Sequence, residues 1–168
     1  MFSDIKYYLK ISFPSLTIFF LIFFNLFFAN NFFDFGQLFI LHAIFFWLLN
    51  FPKLIPFYII LIASLVQDII YLSPLGSTPL VFFLLIFLFE KYNKFFLEPS
   101  FIELFFSFVA LFTIGMFIFW GINSIFNLKP LLINIDFLYK IFLNTIFFPI
   151  HYFFLNIIFK KMNLNKKL

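Results

Sequence analysis

From Ile55 to Phe89 the chain reads IPFYIILIASLVQDIIYL (55–72), SPLGSTP (73–79) and LVFFLLIFLF (80–89). Two apolar runs flank a break rich in Pro, Gly, Ser and Thr, which stop helices and start turns. Beyond Tyr58 near its start, polar groups enter the first run at Ser64, Gln67, Asp68 and Tyr71. The spacing of three, four and seven residues from Ser64 puts these four on one helical face. A strand wall needs polar and apolar residues to alternate, and they do not. The stretch reads as a helical hairpin in an apolar medium.

Working outward, the same pattern repeats along the 168 residues. Apolar stretches at 11–29, 35–51, 55–72, 75–89, 101–122 and 137–159 are separated by breaks. These breaks carry Asn30, Asn31 and Asp34; Pro52 and Lys53; residues 73–77; Glu90 to Pro99; and Asn123 to Asp136. Spanning a hydrocarbon core takes about 20 residues per helix. The expected fold is therefore all-α, a single polytopic transmembrane helical bundle over residues 1–168. Six helices are expected. Five remain possible, because the fourth stretch is short unless it extends through Phe95 and Phe96.

Composition agrees. Hydrophobic residues make up 65% and charged residues 11% of the chain, against about 25% charged in soluble domains. Too little polar surface exists to cover a globule in water. Most of the 37 Phe read as packing or lipid-facing bulk. No small-residue cleavage site follows the first apolar run, so it is expected to remain as a helix.

All 11 basic residues are Lys, giving a net charge of +4. With the N-terminus in the cytoplasm, Lys6, Lys10, Lys53, Lys91, Lys94, Lys160, Lys161, Lys166 and Lys167 fall inside. Only Lys129 and Lys140 fall outside. This asymmetry predicts that both termini are cytoplasmic. No Lys cluster interleaves with stacking aromatics, so nucleic acid is not an expected partner.

Asp68 is the only carboxylic acid well inside an expected span. A charge there costs about 2.5–3.5 kcal/mol on insertion scales. Either it makes a polar contact that sets helix packing or binds a partner or small ligand, or it sits near the outer headgroups. After it, Ser73 is a candidate cap for a helix beginning at Pro74, and Thr78 for one beginning at Pro79. Gly76 permits a tight turn. In the last stretch Pro149 lacks an N–H, predicting a kink that Asn144 and Thr145 help satisfy. His42 and His151 read as interhelical hydrogen-bonding groups, Trp47 and Trp120 as interfacial anchors, and Asp136 with Lys140 as an i,i+4 pair.

Catalytic signatures are missing. The chain has no Cys, no phosphate-binding Gly loop, no zinc helix and no nucleophile elbow. A second intramembrane carboxylate to pair with Asp68 is lacking too. No enzymatic activity, cofactor or metal is expected.

The run Phe46-Trp47-Leu48-Leu49-Asn50-Phe51-Pro52-Lys53, the following apolar helix ending in Asp68, and then Pro74-Leu75-Gly76 resemble the MreD family of bacterial rod shape-determining proteins. Leu143-Asn144 followed by Pro149 resembles that family's C-terminal segment. Where the family carries glycines before the Asp, this chain has Ile62-Ala63-Ser64-Leu65. The resemblance implies a multi-pass inner-membrane scaffold of the cell-elongation machinery. Its partners would be MreC and, through it, the filament protein MreB, the glycosyltransferase RodA and a penicillin-binding transpeptidase. Ser64, Gln67, Asp68, Tyr71, Pro74, Leu75, Gly76, Asn144 and Pro149 would then shape a partner-binding or packing surface. The competing expectation is a substrate-binding membrane subunit of a small-solute, vitamin-type transporter. Such subunits carry small-residue patches for docking, for which Ala29, Gly115 and Gly121 are a poor substitute.

Overall fold

The computed structural model describes residues 2–31, 34–50, 56–92, 100–126 and 135–161. Among them the chain is all-α: α1 (Phe2–Asn31), a 3₁₀ turn (Gln37–Ile40), α2 (Leu41–Asn50), α3 (Phe57–Ile70), α4 (Ser77–Tyr92), α5 (Phe101–Phe126) and α6 (Ile135–Lys161). Lys53, Lys94, Lys129, Lys166 and Lys167, on which the expected orientation draws, lie outside the described residues, as do Phe51 and Pro52.

The six helices coincide with the six apolar stretches, but their ends move. α1 starts at Phe2 rather than at residue 11, and α5 and α6 overrun their expected limits. Lys, Asp and Asn are polar yet compatible with helix, so hydropathy breaks do not mark helix ends. α4 occupies 77–92, not 75–89, carrying Glu90 and Lys91 within it. The second stretch is not one helix. It opens with the 3₁₀ turn and leaves only 10 residues of α2, about 15 Å of rise.

α5 and α6 are each long and apolar enough to cross a membrane, with only 28% and 22% of their most apolar windows buried. The helices of the second and third stretches are shorter. The outward surface carries Phe20, Phe23, Phe27, Phe106 and Phe142, each more than half exposed.

α2 is the axis of the bundle. Every residue from Leu41 to Leu48 is buried, because α1 and α6 pack on it directly while rings from α4 and α5 close the remaining sides. Phe45 meets Phe89 of α4 edge-on, and His42 lies against Phe108 of α5 with ring centroids 4.7 Å apart. Phe108 stacks on Phe148 of α6 at 4.0 Å. Trp47, expected as an interfacial anchor, is wholly buried. Its indole N–H donates to Thr17 of α1 at 2.8 Å, and its ring packs edge-on to Phe13. A buried indole keeps its place only with such an acceptor. Gly115 lets α5 close on α4: a Cβ there would lie 2.8 Å from Leu85 Cδ1. That small residue is consumed by internal packing.

Candidate functional site

Asp68 sits in the last turn of α3, fully buried. The helix ends with Leu72 N–H donating to the Ile69 carbonyl (3.4 Å) and Ser73 N–H to the Asp68 carbonyl (3.0 Å). This pairing requires a left-handed residue, usually Gly, just past the helix end. Here it is Leu72, at φ 51° and 93% exposed.

The Asp68 carboxyl then begins the next helix. An α-helix starts with four backbone N–H groups that lack intrahelical partners. Gly76, whose carbonyl accepts the first helical bond from Leu80, is the N-cap at φ 94°. Its N–H donates to Asp68 Oδ2 at 2.7 Å. Ser77 N–H donates to the Pro74 carbonyl (3.0 Å), and Thr78 N–H to Asp68 Oδ1 (3.1 Å). Pro79 has no N–H to satisfy. The hydroxyls of Ser73 and Ser77 also donate to Oδ1, at 3.0 and 3.1 Å. Four donors from the 73–78 turn thus surround one side chain, and the positive end of the α4 dipole faces it. Neither expected cap acts alone: the helix starts at Ser77, Ser73 binds Asp68 instead of a backbone N–H, and the Thr78 hydroxyl is buried without a partner among the described residues.

The rest of the polar face divides. Ser64 is buried but bonds back onto the carbonyls of Ile60 and Leu61 in its own helix. Gln67 is 1% exposed, and neither atom of its amide finds a partner among the described residues. The Tyr71 hydroxyl accepts from Asn25 Nδ2 of α1 (2.7 Å) and donates to Asp34 Oδ1 (3.2 Å). Asn25 also donates to the Gly36 carbonyl, and Gly36 N–H to Asp34 Oδ1. Asp34 Oδ2 and Asp136 share Lys140 Nζ, each at 3.0 Å. The expected Asp136–Lys140 pair is present, widened by Asp34. Gln37 Nε2 reaches Ser73 Oγ at 2.7 Å, joining this network to the Asp68 turn. Asn25, Asp34, Gly36 and Gln37 were not legible as site residues. The one local signal was Asp34 two residues before Gly36, an Asx-turn spacing.

On α6, Asn144 does not serve the carbonyl freed by Pro149. Its Nδ2 donates to the carbonyls of Phe35 (2.8 Å) and Lys140 (2.7 Å), tying α6 to the segment before the 3₁₀ turn. Thr145 bonds back to the Ile141 carbonyl, and the helix continues through Pro149. His42 places its two ring nitrogens 2.7 and 3.1 Å from the carbonyls of Phe39 and Asn144, so it does join α2 to α6. A neutral imidazole donates to one of them, according to its tautomer.

A cavity of about 350 Å³ opens where the ends of α3 and α5 meet the start of α6 and the 3₁₀ turn. Its wall includes Gln37, Tyr71, Ser73, Trp120, Asn123 and the Asp136–Lys140 pair. Trp120, expected as an anchor, is half-buried there. Among the described residues no three His, Asp or Glu side chains gather as a metal site. The arrangement can hold a turn rigid and offer a lined recess. Neither a family model nor a curated protein nor a solved structure matches this chain.

Proposed function

We propose that the protein is a non-catalytic, six-span scaffold of the bacterial inner membrane, of the MreD type. It would dock MreC and so connect MreB filaments with RodA and a penicillin-binding transpeptidase. The observation that carries this reading is the Asp68 turn. Asp68 and Gly76, two positions of the family resemblance, act as one unit, the glycine N–H bonded to the carboxyl at 2.7 Å. Pro74 supplies the carbonyl that holds Ser77, and Leu75 projects outward at 71% exposure. An acidic group fully engaged by its own turn is suited to hold a surface rather than to exchange protons with a substrate. Support for the membrane comes from the outward Phe and Leu side chains, which in water would form an apolar patch far larger than soluble monomers carry.

Copurification from native membranes in mild detergent, followed by mass spectrometry, tests the reading. A single-pass partner of the MreC type is the expected result, with Asp68→Ala lowering its yield and disturbing rod shape. Recovery of the protein alone, together with normal shape in a deletion strain, would overturn it.

The cavity favours a second reading, the binding subunit of a small-solute transporter, since recesses of about 300–1,000 Å³ suit small ligands. Tight retention of a radiolabelled vitamin by the purified protein would select it.

A further inference from the structure

The cavity has a definite chemical bias. Three groups on its wall carry acceptor capacity that nothing among the described residues uses. Gln37 donates one of its two amide N–H groups to Ser73, and Asn123 one of its own to the Phe119 carbonyl at 2.9 Å. Both residues are 7% exposed, and no described residue donates to either side-chain oxygen. Asp136 keeps a side chain 59% accessible although one oxygen holds Lys140. Among the described residues the one ammonium on the wall, Lys140, is already gripped by two carboxylates, Asp34 and Asp136, so those three side chains together keep an excess negative charge. Phe119, Trp120 and Phe137 supply the aromatic part of an apolar lining that is otherwise aliphatic, and aromatic faces attract cations.

An anion would be repelled by the net negative charge of Asp34, Asp136 and Lys140, although each amide also keeps a second N–H. A neutral apolar molecule would strip water from two amide oxygens and a carboxylate and leave them unpaired. A primary ammonium brings three N–H donors and a positive charge, and a short alkyl stem suits the aromatic wall. We propose that this cavity binds a primary alkylammonium group, supplied by a free amine or by an aminophospholipid headgroup. The inference uses the cavity's own lining and stands whether or not the protein is an elongation scaffold.

The test uses the full-length protein in a non-ionic maltoside detergent, with n-hexylammonium as probe and n-hexanol as its uncharged counterpart. Binding is read by calorimetry and by tryptophan emission, with Trp120→Phe removing the emission change. Saturable binding of the amine and none of the alcohol is expected. Asp136→Asn and Asn123→Leu should each weaken the amine by about tenfold or more, the scale of one charge-assisted hydrogen bond. In nanodiscs, phosphatidylethanolamine should displace the amine relative to phosphatidylglycerol if the lipid is the source. Undiminished amine binding in both would assign the site to a free amine. The proposal fails if the alcohol binds as well as the amine, if the amine does not saturate, or if both folded variants bind it as the unmodified protein does. The amine–alcohol comparison needs no variant, so it decides the matter even where a substitution prevents folding.

Discussion

Replacing Asp68 with Ala strips acceptors from two backbone N–H groups at the start of α4. Each buried donor left unpaired costs about 1–3 kcal/mol, so the pair sets a range of about 2–6 kcal/mol. Thr78 is wholly buried and bears its full share, whereas Gly76 is half-buried, so water reaches its N–H and lowers its share. The Ser73 hydroxyl keeps the Asp68 carbonyl at 3.4 Å, whereas the buried Ser77 hydroxyl loses its acceptor and adds to the loss. The expected loss is therefore about 2–4 kcal/mol. Asp68→Asn keeps one oxygen but turns an NH₂ toward one of the two donors, for a loss of about 1–2 kcal/mol. Reversible unfolding in mixed micelles gives the order: native, then Asn, then Ala. Amide exchange should accelerate at Gly76 and Thr78 before the rest of α4. An Ala variant within about 0.5 kcal/mol of native, with exchange unchanged, would refute the reasoning. It would point instead to a carboxyl that matters only when a partner is bound.

Leu72→Gly removes a left-handed strain from an exposed side chain, and unfolding should show a gain of about 0.5–1 kcal/mol. Gly36 holds φ 79° and ψ 175°, a region almost closed to side chains, so Gly36→Ala should cost about 1–3 kcal/mol in the same assay. Gln67→Leu deletes two buried unpaired atoms at little change in volume. The isolated protein should gain about 1 kcal/mol or more, and a loss of stability would show that the amide is partnered after all.

Much of the bundle was written in hydropathy alone. Ser64, Gln67 and Asp68 do share one buried face, because a period of 3.6 needs only one helix to be right. What Asp68 does there was not legible, since its donors lie eight and ten residues ahead, across a turn whose path no single-helix pattern encodes. Trp47 misled for a related reason. Indoles usually sit at interfaces, and only the arrival of Thr17 from α1 makes burial tolerable. Asn25 and Gln37 stayed hidden because a lone amide in an apolar run reads as noise until its partners, Tyr71 and Ser73, arrive from α3 and the turn beyond it. The Asp34–Lys140 pair joins opposite ends of the chain and leaves no local trace.

The enclosed α2 carries a consequence for how the molecule comes into being. Its histidine leans on a carbonyl 102 positions further along, and the carbonyl of Phe35 just before it waits for an amide 109 positions away. During synthesis from the amino end, the centre of the protein exists long before the wall that shelters it. A nascent chain halted before α6 should expose that centre, making such truncations prime targets for chaperones and quality-control proteases.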